Sequence, residues 1–338
     1  MTVRFIDFFA GIGGFRLGME RAGATCVGSC ELAAFPRAVY AARFGAAPEW
    51  SDLCDVQAKY LPDADLWVGG FPCQDASVAG KQAGLLDGLR SGLVFRLLDL
   101  VFWRRPTWLL LENVPGLLAG RSRLDALLGR LQELGYVGAW RVLDAQHFGV
   151  PQRRRRVFLL ARRARAAGPC PASVLLESGG GARHSRAVRA KGPQPAARAA
   201  RGAGGGRGRR REDDENLVAA PLTAHHGRLD ADTAATHLVP FDLAQGTHPE
   251  NRARCAPGEP LGSLAVTSRP HVATGSWVRR LTVTECERVM GFPDGWTDVP
   301  GGSDTARRKA LGNAVVPQVV EWITRRLRDA VFRETGET

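Results

Sequence analysis

The sequence contains no Cys-x-x-Cys pair. Its seven cysteines, an odd number, provide neither a disulfide framework nor a zinc-knuckle spacing, which points to a reducing compartment. The closest two, Cys26 and Cys30, read as small apolar packing groups. Long hydrophobic runs are missing too: Arg4 and Asp7 interrupt the N-terminal apolar stretch, and no run reaches bilayer-spanning length. The expected location is cytoplasmic, with no membrane partner. No repeat at a period of roughly 20 to 50 residues is visible, which excludes solenoid and propeller architectures.

Surplus charge is absent from most of the chain. The net charge is +12, yet residues 162–211 alone carry 13 Lys and Arg against one acid, Glu177, leaving 33 basic and 33 acidic residues elsewhere. An acidic run, Glu212–Glu215, follows. The balance argues for one polyanion-attracting segment on an otherwise neutral fold. What is present is ordinary globular usage: 338 residues, 44% hydrophobic and 24% charged, with room for roughly two domains.

Up to Ala161, short apolar runs alternate with helical stripes, as in an α/β doubly wound parallel sheet. Val3–Phe9, Leu66–Gly69, Trp108–Leu111 and Val157–Leu160 read as buried strands. Leu93, Val94, Leu97, Leu98, Val101 and Phe102 form a helical stripe with Ser91 as the expected N-cap; Leu124, Leu127, Leu128, Leu131 and Leu134 form another, closed by Gly135. Residues 162–216 read as a flexible Arg/Gly-rich linker, with 10 glycines and 4 prolines between 162 and 211. Residues 217–278 carry short turn-bounded segments, expected as a small irregular domain, and residues 279–338 return to helical patterning. There, Thr282 and Glu285 fit a capping box, and Val315–Phe332 reads as a final amphipathic helix.

Two places carry chemistry. The first strand runs into Ala10-Gly11-Ile12-Gly13-Gly14, where glycines let the backbone approach a ligand beside a helix N-terminus; Glu31 stands near the second strand's end and Asp52 further on. No Gly-Lys-Ser/Thr follows, so this is not a phosphate loop. Cys73 comes just past a buried strand, after Pro72, and Glu112 follows another strand at the same sheet edge. A thiolate and a carboxyl in one crevice make a nucleophile and acid pair. Attack on carbon 6 of cytosine with proton donation at N3 turns carbon 5 into an enamine carbon able to attack a methyl sulfonium.

In ordered blocks the sequence resembles the DNA (cytosine-5) methyltransferases. The blocks are Asp7-Phe-Phe-Ala-Gly-Ile-Gly-Gly-Phe, Gly70-Phe-Pro-Cys-Gln, Glu112-Asn-Val, Gln152-Arg-Arg-Arg-Arg, Arg279-Arg-Leu-Thr through Gly291-Phe-Pro-Asp, and Gly312-Asn-Ala-Val-Val-Pro. The resemblance implies a Rossmann-like S-adenosylmethionine-dependent sheet (1–161), the linker, a target-recognition domain (217–278) and a return to the catalytic domain (279–338). It makes Cys73 the nucleophile, Glu112 the N3 proton donor, and Arg156, braced by Arg154, the holder of base and acid. Phe9, Gly11, Gly13 and Pro72 would line the S-adenosyl-L-methionine pocket, Glu31 would take the ribose hydroxyls and Asp52 the adenine amino group, and Asn313 with Val315 would complete it. Gln74, Ser77, Lys81, Gln82 and Arg90, in a loop from Gln74 to about Gly92, would contact DNA. Double-stranded DNA is the implied partner, with a cognate restriction endonuclease and a monomeric chain as further expectations.

The sequence departs from the family pattern at Leu32, where many members carry an aromatic, and at Asp75-Ala76. Residues 217–278, including His225, His226, Arg228, Gln245, Asn251, Arg252, Arg254, Ser268 and Arg269, have donor-rich composition for groove reading. The His pair lacks companions at metal-ligand spacing, so no metal is expected. A tRNA cytosine-5 methyltransferase on the same scaffold is the alternative, disfavoured by the long variable region and the missing Cys-Phe-Thr signature. A non-catalytic binder would not need Cys73 and Glu112 together.

Overall fold

A computed structural model describes residues 2–72, 92–119, 121–176, 239–242, 270–274 and 277–335. Its first half builds a six-stranded sheet from β1 (Arg4–Phe8), β2 (Thr25–Cys30), β3 (Leu66–Gly70), β4 (Trp108–Asn113), β5 (Tyr136–Asp144) and β6 (Arg155–Arg163), in the order β2-β1-β3-β4-β6-β5. The intervening helices are α1 (Gly14–Arg21), α2 (Ala34–Phe44), α3 (Leu93–Arg104), α4 (Gly116–Ala119), α5 (Arg121–Glu133) and α6 (Pro171–Leu175). All six residues of β4 are buried, because helices cover both faces of the sheet and a two-sided strand has no polar face to show.

Side-chain alternation sorts the core into two layers. Phe5, Leu66, Val68, Trp108 and Leu110 point to one face and Ile6, Phe8, Trp67, Leu109 and Leu111 to the other. The first layer is closed by α1 and by the C-terminal helices α7 (Val283–Val289), α8 (Asp304–Asn313) and α9 (Pro317–Thr335); the second by α3 and α5. Strands β7 (Val239–Asp242), β8 (Pro270–Thr274) and β9 (Trp277–Arg280) form a separate antiparallel sheet, and β9 leads directly into α7.

The expected doubly wound parallel sheet is present in β2-β1-β3-β4, which pair in parallel, and needs correction at β6. Strand β6 enters between β4 and β5 and runs antiparallel to both, with Glu112 opposite Phe158 and Asn113 opposite Val157. A buried apolar run carries no mark of its direction, which is set by the short connection from β5. The reversal has a chemical consequence: the N-terminal end of β6 lies at the same edge as the C-terminal ends of β1, β3 and β4.

Local signals behave as their chemistry dictates. Thr282 and Glu285 form the reciprocal capping box of α7, and Gly135 takes the left-handed conformation beyond α5 at φ 80°. Gly92, not Ser91, is the N-cap of α3, without a side-chain bond. The last helix starts at Pro317 and not Val315: Ala314 is extended, and proline fits the first helical turn because its missing N–H would have had no partner there.

Helices α1 and α9 pack through Gly18. A β-carbon there would lie 2.4 Å from the Pro317 carbonyl oxygen and 2.8 Å from Val320 Cβ. Gly18→Ala would gain about 1 kcal/mol of helix propensity, but overpacking of this kind costs about 1–3 kcal/mol and the obstructing atom is backbone. The variant is therefore expected to unfold at lower denaturant concentration than the parent; a raised midpoint would show that the two helices separate freely.

Candidate active site

The chain goes from β1 outward to β2 and then returns to the other side of β1 as β3, so the strand order reverses between β1 and β3. Open α/β sheets bind ligands at such a point, beyond the carboxyl ends of the strands. A cavity of about 590 Å³ lies there, within the usual range for a small-molecule site. Its wall takes Phe9 and Gly11 from the turn after β1, Glu31 and Leu32 after β2, Asp52, Phe71 and Pro72 after β3, Glu112 at the end of β4, Arg154 and Arg156 from the start of β6, and Asn313 from the end of α8.

The turn after β1 is wound tightly. Phe9 has φ 57°, Gly11 56° and Gly13 85°. A left-handed phenylalanine costs roughly 1–2 kcal/mol, tolerated where the surroundings over-determine the conformation. Here the Ala10 amide donates to the Cys30 carbonyl at 2.9 Å and the Gly13 amide to the Ala10 carbonyl at 2.9 Å. The Gly11 N–H then donates to Glu31 Oε2 at 2.8 Å, while the Ala33 N–H donates to Oε1 at 2.7 Å. Both oxygens are thereby oriented, and each keeps acceptor capacity toward the cavity. Arg37 steadies the same corner, donating to the carbonyls of Glu31, Trp50 and Pro48. Asp52 accepts the Cys54 N–H at 2.8 Å, capping the short turn Leu53–Asp55.

Glu112 and the arginines of β6 lie across the cavity. Glu112 pairs in register with Gly70, where a β-carbon would come within 2.9 Å of Glu112 Oε2; only glycine leaves that carboxyl its place. Arg156 Nε stands 3.1 Å from Glu112 Oε1. Burial pushes the Glu112 carboxyl above its ordinary range, and the cations of Arg156 and then Arg154 oppose that rise without cancelling it. Asn113 donates its side-chain N–H to the Phe71 carbonyl at 2.9 Å, which fixes the chain where it passes to Pro72. Cys73 and the expected DNA contacts Gln74, Ser77, Lys81, Gln82 and Arg90 lie outside the described residues, as do residues 217–238 and 243–269 of the expected recognition domain.

Arg154 works differently from Arg156. Buried to 2% exposure, it donates from Nη2 to the carbonyls of Gly312 at 2.9 Å and Ala314 at 2.8 Å, tying the C-terminal turn to the site and bringing Asn313 to the wall. Burial and the neighbouring Arg156 charge lower its basicity, yet a guanidinium starts so far above neutrality that it remains a cation.

Two expected pocket residues are not on the cavity wall. Gly13 backs onto Phe44, whose ring would be 2.2 Å from any β-carbon there, and serves as the left-handed N-cap of α1. Val315 is buried against Gly14, with its carbonyl oxygen 2.6 Å from where a Gly14 β-carbon would stand. Both belong to the packing behind the loop. Leu32 is on the wall and 66% exposed, leaving an aliphatic surface where an aromatic was the family expectation. Sequence reading passed over Arg37 and Lys309, the latter also on the wall, because an isolated cation carries no motif. Asp7, which opens the first of the ordered blocks, is fully buried and held well above the carboxylate range by burial, with the Arg16 charge opposing.

A family model for C-5 cytosine-specific DNA methylase matches residues 3–171 and 243–329. The chain is 31% identical over 337 residues to the Type II methyltransferase M2.BsuMI of Bacillus subtilis (strain 168), across 95% of this chain and 74% of that protein. It is 29% identical over 328 residues to the Type II methyltransferase M.HhaI of Haemophilus parahaemolyticus, across 95% and 93% of the two chains. The S. pombe Dnmt2 methyltransferase structure aligns at TM-score 0.64 and 16% identity, over 97% of this chain and 98% of that one, a likeness of fold. The matched stretches contain the loop after β1, the Glu112 strand, the arginines of β6 and the C-terminal turn, so the chain belongs to the C-5 cytosine-specific DNA methylase family.

Proposed function

We propose that the chain methylates carbon 5 of a cytosine turned out of duplex DNA, using S-adenosylmethionine and a covalent adduct at Cys73. The observation that carries this reading is a carboxyl kept protonatable by burial, paired with Arg156 at 3.1 Å, on the same cavity wall as Gly11, Glu31 and Pro72. The residues fit the cofactor. Glu31 offers two oriented oxygens to a ribose diol, Leu32 and Phe9 offer apolar surface to a purine, Asp52 is available to an exocyclic amine, and Asn313 closes the far side. When bound, S-adenosylmethionine supplies an electrophilic methyl group for carbon 5.

The chain's own groups make that carbon nucleophilic. The Cys73 thiolate forms an S–C bond to carbon 6, and the electron pair of the 5,6 double bond shifts to carbons 5 and 4, displacing the carbon 4–N3 pair onto N3. Glu112 delivers a proton to N3, so negative charge never accumulates there, and Arg156 holds the carboxyl in line. After methylation, N3 returns its proton to Glu112, and loss of the carbon 5 proton to solvent restores the double bond and expels the thiolate. A stacked cytosine exposes neither face to such a pair, which is why the base must leave the helix.

The division into a catalytic part (1–161 with 279–338), a linker (162–216) and a recognition part (217–278) accords with this reading. The family model leaves out 172–242, a gap that spans most of the linker and the first part of the recognition stretch, and resumes at 243 within that stretch. The Type II designation of the relatives favours service beside a cognate restriction endonuclease, and the proposed working unit on one duplex is a monomer.

Two outcomes are expected. Cys73→Ala loses methyl transfer to DNA while still binding S-adenosylhomocysteine; turnover of labelled cofactor by that variant would refute the thiol's role. For Glu112, the protonated form is the active one and burial raises its pKa, so kcat/KM falls as pH rises through that raised value. Arg156 lowers the same pKa, so Arg156→Gln should move this descending limb to higher pH. A limb that stays put or moves down would mean that Glu112 is not the proton donor.

A further inference from the structure

We infer that Trp296, which is absent from the cavity wall, is a positioning residue for the cofactor loop and acts through Glu31. The inference rests on the reading of Glu31 as the ribose ligand. Trp296 donates its indole N–H to the Ile12 carbonyl at 2.9 Å, a buried bond between residues 284 positions apart. Two peptide units back along the same turn, the Gly11 N–H holds Glu31 Oε2 at 2.8 Å. The indole thus pins the turn whose amide orients the carboxylate.

The pin is itself rigidly mounted. Glu287, fully buried on α7, accepts the main-chain N–H groups of Gly295 and Thr297, each at 2.7 Å, on either side of Trp296. Arg43 donates to the carbonyls of Trp296 at 2.7 Å, Gly295 at 2.6 Å and Asp298 at 3.0 Å. The indole meets Phe44 edge-on at 5.7 Å between centroids, and that same Phe44 ring backs Gly13. A buried indole N–H requires an acceptor, and its mounting leaves the loop carbonyl as the acceptor it uses. The loop, fixed at its start by the Ala10 bond to Cys30, is thus also held by a segment 284 positions further along the chain.

The test is a double-mutant cycle read by calorimetric binding of S-adenosylhomocysteine to the full-length chain. Trp296→Phe keeps a ring against Phe44 but removes the donor, and should weaken binding about 3- to 10-fold, the usual worth of one net hydrogen bond. In turnover, the loss should appear in the cofactor KM and not in kcat. Glu31→Gln should weaken binding by itself, and in that background Trp296→Phe should add little. Unaltered affinity in Trp296→Phe, or a loss that adds in full to that of Glu31→Gln, overturns the inference while leaving Glu31 as the ribose ligand. Unaltered affinity in Glu31→Gln alone overturns the ribose reading and the inference with it. If Trp296→Phe fails to fold, the benzothiophene isostere of tryptophan, which carries sulfur in place of the N–H, takes its place in the cycle.

Discussion

The reversed direction of one strand governs this molecule's chemistry. Because β6 runs antiparallel to β4, its first residues arrive at the edge where β4 finishes, and Arg156 meets Glu112 at 3.1 Å. Had β6 been parallel, its arginines would sit at the far edge and Glu112 would be a buried acid without a cation. Such a group simply stays protonated. With the cation beside it, the carboxyl is held between two tendencies, burial favouring the acid and Arg156 favouring the carboxylate, the balance that the proposed proton delivery would use.

The other half of the cavity depends on the chain's return to its starting point. The turn after β1 provides the amide that orients Glu31, but a left-handed phenylalanine and two left-handed glycines do not hold themselves in place. Val315 behind Gly14, Phe44 behind Gly13 and the Arg154 bonds to Gly312 and Ala314 press the C-terminal block against that turn. The block after β9 is thus packed against the Glu31 side of the cavity, and the sheet β7-β8-β9 leads straight into it.

Much of the scaffold was legible because its signals are local. Buried strands show as apolar runs, Thr282 with Glu285 announces a helix start, and Gly135 a helix end. The membership of Glu31, Asp52, Pro72, Glu112, Arg156 and Asn313 in one cavity followed from the ordered blocks. Relations between distant segments were not legible. The direction of β6 has no composition, and Gly13 and Val315 sit in the correct blocks but turn to the packing side, a matter of which way one residue faces. The bond from Trp296 to Ile12 joins positions that no pattern connects.

The account stands on covalent attack by one thiol, and DNA bearing 5-fluorocytosine at the target interrogates that directly. Fluorine replaces the proton that must leave carbon 5, so the adduct persists after methylation. Intact-mass measurement of the treated protein should show one oligonucleotide added, and peptide mapping should locate it at Cys73. An unshifted protein mass in a preparation that methylates ordinary DNA, or an adduct on any other residue, would contradict the mechanism.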